Sequence, residues 1–375
     1  MRVVLFANTD WYLYNFRLPL AERLRERGDE VILVSPPGAY SEKLRALGFT
    51  WHEFDFARKG TNPIAELRTL RRLIALYKTI APDLVHHFTI KCVLYGGMAA
   101  RRLDIPNVSA VTGMGHVFTT HTIKNFILRP FISTAYRYAL KRSQVIFQNP
   151  DDQKAFLSLK LVAGHQAHLI RGSGVNITRF TPTMSRLVTG LNVLFVGRLL
   201  REKGVAEFVE AASIVRASHP DVHFQIAGEV DAGNPSSFED SQIQSWASQG
   251  NVVFLGQCSE MPVLLGSSTI CVLPSYREGT PRSLLEAAAC ALPLVATDVP
   301  GCREICRDGV NGILVPPRDA NALAAAIIRL LDDAALRKAM GARSREIAVA
   351  EFAEDSVIAK TLQVYAVAQR EDNVA

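Results

Sequence analysis

The stretch Ile270-Cys-Val-Leu-Pro-Ser-Tyr-Arg-Glu-Gly-Thr-Pro-Arg-Ser-Leu-Leu-Glu286 decides the fold of this chain. Its first five residues are apolar and the run is short, as in a buried parallel strand. Pro281 suits the first position of a helix, and an apolar stripe at helical spacing follows it at Leu284, Leu285, Ala288 and Ala289. The segment is therefore predicted to run from a strand, through a polar loop, into a helix N-terminus.

The polar loop of this segment is predicted to bind a ligand. Free backbone N–H groups and the helix dipole at a helix N-terminus attract phosphate. Glu278 in the loop and Glu286 two turns into the helix would repel phosphate, so their natural partners are neutral sugar hydroxyls. A nucleotide sugar carries a ribose at one end and a hexose at the other, which matches two separate carboxylates. The alternative is that Glu278 is a solvated turn residue and Glu286 a surface residue of the helix.

A second segment, Asn192-Val-Leu-Phe-Val-Gly-Arg-Leu-Leu-Arg-Glu-Lys-Gly204, predicts a strand that ends in a glycine and two spaced cations. Gly197 allows the backbone to approach a ligand closely. Arg198 can form a bidentate contact with phosphate, and Lys203 adds a point charge nearby. Taken alone, solvated surface cations are the simpler explanation. Combined with the two glutamates, this segment describes a site for a diphosphate with a sugar at each end.

These motifs resemble those of the family-four retaining glycosyltransferases, which use nucleotide sugars and have the GT-B fold. The resemblance rests on Gly197-Arg198-Leu199, Glu202-Lys203-Gly204, Glu278-Gly279 and Glu286-Ala287. It extends over essentially the whole chain, with further marks at Gly228, 251–256, Asp298-Val-Pro-Gly301, Glu304 and Asp308-Gly-Val-Asn-Gly312.

The resemblance implies a role for each matching residue. Arg198 and Lys203 hold the donor diphosphate, Glu278 contacts the transferred sugar, and Glu286 binds the nucleotide ribose. The backbone N–H groups of Gly279 and Thr280 face the sugar and the diphosphate. The predicted nucleotide-sugar-binding residues are Gly197, Arg198, Lys203, Glu278, Gly279, Thr280, Pro281, Leu285 and Glu286, and the predicted catalytic residues are Glu278, His116, Arg198 and Lys203.

Strands and helices alternate along both halves of the chain, which is typical of doubly wound parallel sheets. A length of 375 residues suits two domains of about 180 residues. We therefore predict an α/β protein of the GT-B type, with two Rossmann-like domains facing across a cleft. The predicted parts are an N-terminal acceptor-binding domain (1–175), a linker (176–191), a C-terminal nucleotide-sugar-binding domain (192–350) and a C-terminal helix (351–375) that can cross back to the first domain. Because neither half contains Gly-x-Gly-x-x-Gly, a dinucleotide-dependent oxidoreductase is excluded.

The charge of the chain is unevenly distributed. Residues 1–180 carry 25 Lys and Arg against 13 Asp and Glu, whereas residues 181–375 have an acidic balance. No nucleic-acid recognition motif accompanies the basic half, so we expect no nucleic acid as a partner. An anionic membrane or a lipid diphosphate would be attracted by the same charge, and a merely solvated basic surface is the alternative. The acid-free stretch 123–142, kinked at Pro130, is predicted either to lie in a membrane interface or to pack as a helix with basic edges.

The segment Asn8-Thr-Asp-Trp-Tyr-Leu-Tyr-Asn-Phe-Arg17 is predicted to bind the acceptor. Its aromatic side chains suit a lipid and the guanidinium of Arg17 suits a phosphate, although the aromatics would also suit a core beneath a loop. Many members of the family have glycines here and this chain has none, which argues against a backbone contact with phosphate. Together with Val111-Thr-Gly-Met-Gly115, the segment resembles transferases that extend undecaprenyl-diphosphate-linked sugars, including N-acetylgalactosaminyltransferases of bacterial protein N-glycosylation and surface-polysaccharide assembly. The predicted acceptor-binding residues are Tyr14, Asn15, Arg17, Gly113 and His116, with His86 and His87 as weaker candidates for the cleft.

No apolar run reaches the roughly 18–20 residues of a membrane span. The six cysteines form no Cys-x-x-Cys pair, so we expect reduced thiols in a cytoplasmic protein that associates peripherally with the inner face of the membrane. No Asp-x-Asp motif is present, and neither a metal nor another cofactor is expected.

The predicted activity is transfer of an N-acetylhexosamine or hexose from a UDP-sugar to a polyprenyl-diphosphate-linked saccharide during assembly of a bacterial N-glycan, O-antigen, capsule or exopolysaccharide. The alternatives are a sugar-nucleotide epimerase of the same fold and a transferase with a soluble acceptor. A non-catalytic sugar-nucleotide-binding scaffold would lose the glutamates, and both are present. The sequence leaves the donor sugar, the linkage and the oligomeric state open.

Overall fold

The computed structural model describes residues 1–56, 63–113, 123–182, 190–231 and 234–372. These residues form two compact units, each built on a parallel β-sheet. The first unit comprises Met1–Ser173 and Val357–Ala375, and the second comprises Gly174–Ser356.

The first unit contains a seven-stranded sheet in the order β3-β2-β1-β4-β5-β6-β7, and every pairing in it is parallel. Its strands are β1 Arg2–Phe6, β2 Glu30–Ser35, β3 Thr50–Glu53, β4 Leu84–Phe88, β5 Asn107–Val111, β6 Ser143–Phe147 and β7 Ala167–Leu169. Its helices before the crossover are α1 Asp10–Tyr12, α2 Leu18–Glu26, α3 Ser41–Ala46, α4 Pro63–Ile80, α5 Ile90–Arg102, α6 Ile123–Leu140 and α7 Pro150–Ser158, with a π-helical turn at Leu13–Arg17 and a 3₁₀ turn at Gly164–Gln166.

The apolar strands of this sheet are buried on both faces. Successive side chains of a strand point to opposite faces, and β1 divides accordingly: Val3 and Leu5 enter one hydrophobic cluster, whereas Val4 and Phe6 enter another. Helices must therefore cover both faces, which explains why the strand sequences are nearly continuous hydrophobic runs.

The second unit contains a six-stranded parallel sheet in the order β10-β9-β8-β11-β12-β13. Its strands are β8 Asn192–Val196, β9 His223–Ala227, β10 Val253–Gly256, β11 Ile270–Leu273, β12 Leu294–Thr297 and β13 Gly312–Val315. Its helices are α8 Val205–Arg216, α9 Asp240–Ser248, α10 Met261–Gly266, α11 Arg282–Ala289, α12 Cys302–Ile305, α13 Ala320–Asp332 and α14 Ala334–Phe352, with a 3₁₀ turn at Arg201–Lys203.

The last helix, α15 (Glu354–Asp372), begins in the second unit and continues in the first. Its apolar face, which includes Val357, Val364 and Tyr365, is buried in the same hydrophobic cluster as Val3 and Leu5 of β1. The C-terminal helix is therefore part of the core of the first unit.

Residues 176–182, the first part of the segment predicted as a linker (176–191), differ in the structure from that expectation. Val175 and Phe180 are buried in the core of the second unit. The guanidinium of Arg345 donates hydrogen bonds to the carbonyl oxygens of Ile177 (3.0 Å) and Phe180 (2.8 Å). Residues 176–182 are consequently a packed part of the second unit, because their backbone oxygens are held by a side chain far away in sequence.

Each sheet has one point at which the strand order reverses. In the first unit, the chain winds outward from β1 towards β3 and from β4 towards β7; in the second, it winds from β8 towards β10 and from β11 towards β13. Loops that follow the two central strands diverge at their carboxyl ends, and ligands of open α/β sheets bind in the crevice left there. These two positions define where a site is expected in each unit.

Candidate active site

The reversal point of the second sheet brings the two sequence motifs together. The segment that follows β8 carries Gly197, Arg198 and Lys203, and the segment that follows β11 carries Glu278. Residues separated by about 80 positions in sequence thus share the carboxyl edge of two adjacent strands.

Direct contacts join these two loops. The backbone N–H of Tyr276 donates to the carbonyl oxygen of Glu202 at 2.9 Å. Gly204 has a φ of +73°, and a Cβ at this position would overlap the carbonyl oxygen of Pro274. Only glycine satisfies both the left-handed backbone and the close approach, which accounts for the glycine after Lys203 in the predicted motif.

A third loop supports the segment around Glu278 from the other side. The N–H of Glu278 donates to the carbonyl oxygen of Pro300 at 3.2 Å. Gly301 has a φ of +86°, and a Cβ there would lie 2.5 Å from the carbonyl oxygens of both Glu278 and Gly279. The Asp298-Val-Pro-Gly301 motif therefore has a structural explanation: it holds the backbone of the site loop.

Lys203 and Glu278 form an ion pair at the centre of the site. The ammonium of Lys203 contacts Oε1 of Glu278, and both side chains are largely buried. Oε1 of Glu278 also accepts a hydrogen bond of 2.7 Å from the hydroxyl of the buried Ser275. Two donors on one carboxylate oxygen fix its orientation, so Glu278 is not a solvated turn residue.

Glu286 is buried on α11, with 9% of its surface exposed. Burial raises the pKa of its carboxyl above the ordinary value of 4.5, and the guanidinium of Arg282, whose Nε lies 2.7 Å from Oε1, opposes that rise. Arg179 opposes it more weakly. Because Glu286 is buried, the alternative that it is a surface residue of the helix is excluded.

Arg198 is exposed and pairs with Asp231, whose Oδ2 lies 2.6 Å from Nη1 of Arg198. The same oxygen accepts a 3.0 Å hydrogen bond from the side-chain amide of Asn234. Asp231 was not among the residues predicted from the sequence. Its position three residues after Gly228, which directly follows β9, could have indicated that it lies near the carboxyl edge of the sheet.

The remaining predicted donor-site residues lie around the N-terminus of α11. Pro281 is its N-cap and not its first helical residue, so the helix begins at Arg282. Among the described residues, no hydrogen bond engages the backbone N–H of Gly279, and Thr280 lies beside it. The Leu285 side chain is buried in the core and its N–H donates to the Pro281 oxygen at 3.3 Å, so it supports the site by packing.

A hydrogen bond between Tyr276 and Glu207, which was not predicted from the sequence, joins the site loop to α8. The Tyr276 hydroxyl donates to Oε1 of Glu207 at 2.5 Å, and the guanidinium of Arg318 lies 4.6 Å from the centre of the Tyr276 ring. Burial, followed by the neighbouring Glu207, raises the pKa of Tyr276 to about 12, with Arg318 opposing the rise. The link anchors the site loop to α8.

Three of the predicted acceptor residues follow β1, one of the two strands at the reversal point of the first sheet. Tyr14, Asn15 and Arg17 lie on the π-helical turn Leu13–Arg17, a form of helix that is frequent at functional sites. The Tyr14 ring packs 5.0 Å from the Tyr40 ring, and the Asn15 side chain donates to the carbonyl oxygen of Trp11 at 3.0 Å.

The other predicted acceptor residues have different outcomes. Gly113 follows β5 at the carboxyl edge of the sheet, whereas His116 lies outside the described residues. His86 and His87 are both buried, and burial lowers the pKa of His87 to about 3. The ring of His87 lies 6.3 Å from that of Tyr77 inside a core cluster, so His87 is not a cleft residue.

Within the described ranges, no group of three or more His, Cys, Asp or Glu side chains is arranged to hold a metal ion. No helix in these ranges has both the length and the apolarity that crossing a membrane requires.

Comparison with known proteins assigns both halves of the chain. Residues 2–149 match the family model described as glycosyl transferase 4-like, and residues 190–333 match glycosyl transferases group 1. The solved structure of HepE from Anabaena, in complex with UDP and glucose, superposes with a TM-score of 0.80 at 19% identity, over 98% of this chain and 99% of that one. The chain belongs to the GT-B glycosyltransferases, with a 4-like domain followed by a group 1 domain.

Two relatives carry specific activities in their names. The N,N'-diacetylbacillosaminyl-diphospho-undecaprenol alpha-1,3-N-acetylgalactosaminyltransferase of Campylobacter jejuni is 29% identical, over 97% of this chain and 98% of its own. The UDP-Gal:alpha-D-GlcNAc-diphosphoundecaprenol alpha-1,3-galactosyltransferase of Escherichia coli is 24% identical over 73% of each chain.

The burial of Glu286 generates a prediction about stability. Because the pKa of Glu286 is raised in the folded state, this group favours folding at low pH, and its contribution falls as the pH rises from 4.5 through the raised value. Glutamine does not ionise, so we expect Glu286→Gln to remove the loss of folding stability that ionisation of Glu286 causes. The melting temperature of this variant at neutral pH should therefore equal or exceed that of the wild type. Thermal unfolding from pH 4 to pH 8 measures this, with the exposed Glu210→Gln as the control. A marked fall in melting temperature at neutral pH would instead identify the carboxylate as a structural partner of Arg282.

Proposed function

We propose that the protein is a retaining glycosyltransferase that moves an N-acetylhexosamine or hexose from a UDP-sugar to a polyprenyl-diphosphate-linked saccharide in bacterial glycan assembly. The observation that carries this proposal is the oriented Lys203–Glu278 pair at the reversal point of the second sheet, with the buried Glu286 on the helix that follows. The cation can bind a diphosphate, and the two carboxylates can accept hydrogen bonds from the sugars at its two ends.

The donor is proposed to lie along the carboxyl edge of β8 and β11. Lys203 and Arg198 would neutralise the diphosphate, the N–H of Gly279 would donate to it, and Glu286 would accept hydrogen bonds from the ribose. The HepE complexes with UDP and glucose support a UDP-sugar by analogy of fold. No metal is required in this proposal, because Lys203 and Arg198 would supply the positive charge beside the leaving diphosphate.

The arrangement of Glu278 bears on the mechanism. Its Oε1 is shared by Lys203 and Ser275, so this carboxylate is held as a hydrogen-bond acceptor for a sugar hydroxyl. We propose front-face transfer, in which the bond from the anomeric carbon to the acceptor oxygen forms as the bond to phosphate breaks. The acceptor hydroxyl proton passes to the departing phosphate oxygen, and the cations stabilise the charge that develops there.

The acceptor is proposed to be a polyprenyl-diphosphate-linked saccharide bound by the first unit. Both relatives named above act on undecaprenyl-diphosphate-linked sugars according to their names, which supports this class of acceptor. The exposed Trp11, which meets Phe16 edge to face at 5.2 Å, offers an apolar surface beside the predicted acceptor residues.

A membrane-facing surface is proposed on α4 and α6, both of which pack against α5. Large apolar side chains are exposed on both helices: Ile64 is 66% exposed, Leu67 48% and Phe131 72%. Arg68 and Arg71 are exposed on α4 beside them. Apolar groups among cations are typical of peripheral binding to an anionic bilayer, here the inner face of the cytoplasmic membrane.

Transfer itself is the test of the proposed function. Purified protein is incubated with radiolabelled UDP-sugars and either a membrane lipid extract or soluble saccharides, and the lipid-linked product is separated. Label in the lipid fraction supports the proposal. Product found with soluble saccharides alone contradicts the acceptor class, and a changed UDP-sugar without transfer identifies an epimerase.

Two variants are expected to separate binding from catalysis. Glu286→Gln loses a charged acceptor for the ribose, worth about 1.5–3 kcal/mol, so UDP binding should weaken about 10- to 100-fold. Glu278→Ala should leave the UDP affinity nearly intact and reduce turnover about 10²- to 10³-fold, because its contact strengthens in the transition state. Titration calorimetry and initial rates measure the two effects, with Glu210→Ala as the control. Undiminished turnover of Glu278→Ala would remove this residue from the site.

Activity is expected to survive removal of divalent metal ions. Lys203 and Arg198 supply the positive charge that a metal would otherwise provide to the leaving diphosphate. Initial rates are compared with and without excess EDTA. Loss of turnover that Mn²⁺ or Mg²⁺ restores would show that the side-chain cations are not sufficient.

Binding to anionic vesicles is expected to depend on the cations of α6 and the residue after it. Lys124, Arg129 and Lys141 are replaced together by Gln, whereas Arg137 is left intact because its guanidinium donates to the carbonyl oxygens of Leu159 and Lys160. At about 1 kcal/mol for each cation near the surface, the triple variant should be largely released at low salt. Replacing Arg329, Lys338 and Arg343 of the second unit by Gln is the matched control. Wild-type protein that ignores such vesicles at low salt would contradict the membrane proposal.

A further inference from the structure

Arg17 is a buried cation whose hydrogen-bonding capacity is mostly unused. Only 7% of the residue is exposed, and its guanidinium carbon lies 4.3 Å above the centre of the Phe88 ring. Among the described residues, its one hydrogen-bond partner is the Tyr12 hydroxyl, 2.8 Å from Nη2, and its buried Nε has none. A guanidinium presents five N–H donors in a planar fork, so most of them lack a partner.

Among the described residues, the groups that contact Arg17 include no carboxylate. His86, which packs on Phe88, is neutral, because burial lowers its pKa well below 6.5, with Arg17 and His87 lowering it further. The Nδ1 atom of His86 lies 2.8 Å from the hydroxyl of Tyr365, which is also neutral because burial raises its pKa. No ion pair joins Arg17 to a carboxylate in the described part of the chain.

Asp10, the acidic residue on α1 just before this turn, forms hydrogen bonds with other groups. Asp10 is buried, and its Oδ1 accepts the N–H of Trp11 at 2.8 Å. Its Oδ2 accepts the N–H of Tyr40 at 2.7 Å and the hydroxyl of Ser41 at 3.0 Å. Asp10 therefore ties the turn to the loop before α3 and is not a counter-ion for Arg17.

The position of Arg17 in the fold is one where ligands bind. It precedes α2 and stacks on the last residue of β4, at the reversal point of the first sheet. Thr89, which follows Phe88, has a φ of +72°, and among the described residues its buried hydroxyl has no hydrogen-bond partner stronger than the Cys92 thiol. Strained backbone and unsatisfied donors at one edge of a sheet are typical of a site that a ligand completes.

We propose that Arg17 forms, with the Tyr12 hydroxyl and the hydrogen-bonded His86–Tyr365 pair, a subsite for one phosphate group of a prenyl diphosphate. A buried cation without a counter-ion is unfavourable unless an anion enters, and the aromatic surface of Trp11 and Phe16 suits the adjoining isoprenoid chain. This inference rests on the proposed function in that it identifies the anion as the diphosphate of the lipid-linked acceptor.

Binding of farnesyl diphosphate, a short soluble prenyl diphosphate, tests the subsite directly. Titrations are made in saturating UDP, so that the donor site is occupied, and parallel arms use inorganic pyrophosphate and farnesol. We expect farnesyl diphosphate to bind the wild type more tightly than pyrophosphate does, and farnesol not to bind measurably. This order distinguishes a lipid diphosphate from a free phosphate and from a purely apolar contact.

Replacement of the cation supplies the decisive comparison. Arg17→Met is expected to weaken farnesyl diphosphate binding about 10- to 100-fold, with the UDP affinity unchanged and the melting temperature without ligand not lowered. Arg17→Lys should retain part of the affinity. The matched control is Arg25→Met, which removes an exposed arginine of the same unit that stacks on Phe49 at 4.4 Å and should leave the affinity unchanged.

Three outcomes would overturn the inference. One is wild-type protein that binds UDP but not farnesyl diphosphate, and this result leaves glycosyl transfer to a soluble acceptor intact. The second is an Arg17→Met variant with unchanged farnesyl diphosphate affinity. The third is an Arg17→Met variant that loses thermal stability and UDP binding together, which would make Arg17 a structural residue.

Discussion

The reversal of strand order within each parallel sheet is the constraint on which the rest of this structure depends. Chain segments that leave β8 and β11 in opposite directions cannot close over the carboxyl ends of these strands, and their first residues remain side by side. Lys203 and Glu278 meet for this reason, although 75 residues separate them. The glycines at 204 and 301 then allow three loops to approach within contact distance, so the backbone fixes the site before any ligand arrives.

The two reversal points differ in how their charges are compensated. In the second unit, each predicted donor-site charge has a partner: Lys203 pairs with Glu278, Arg282 with Glu286, and Arg198 with Asp231. A diphosphate that binds there would replace the carboxylate partner that each of these cations already has. In the first unit, Arg17 is stacked on an aromatic ring, and no carboxylate among the described residues forms an ion pair with it. An anion that binds there would supply a charge that the described residues do not provide, so the two sites are expected to differ in how strongly a ligand stabilises the protein.

The sequence predicted most of the architecture because hydrophobic runs and turn residues act locally. The two strands predicted from the apolar runs that begin at Asn192 and Ile270 are present as β8 and β11. The partners of the site residues were not predicted, because a side-chain contact such as Tyr276 with Glu207 depends on the packing of loops distant in sequence. Leu285 and residues 176–182 illustrate the same limit: a helical stripe or a polar stretch does not reveal which neighbour will bury it.

The segment that follows β1 offers a side-chain cation where a glycine loop would offer backbone N–H groups. A glycine loop presents backbone N–H groups, whereas Leu13–Arg17 is a π-helical turn of bulky residues. Asp10, on the preceding helix α1, ties the backbone to the loop before α3. In the proposed phosphate contact, the positive charge therefore comes from a side chain. Arg17, held in place by Phe88 and Tyr12, provides that charge on a rigid support. In the proposed acceptor site, Trp11 and Phe16 beside Arg17 would supply the apolar surface for a prenyl chain, so the same segment would bind both the phosphate and the lipid of the acceptor.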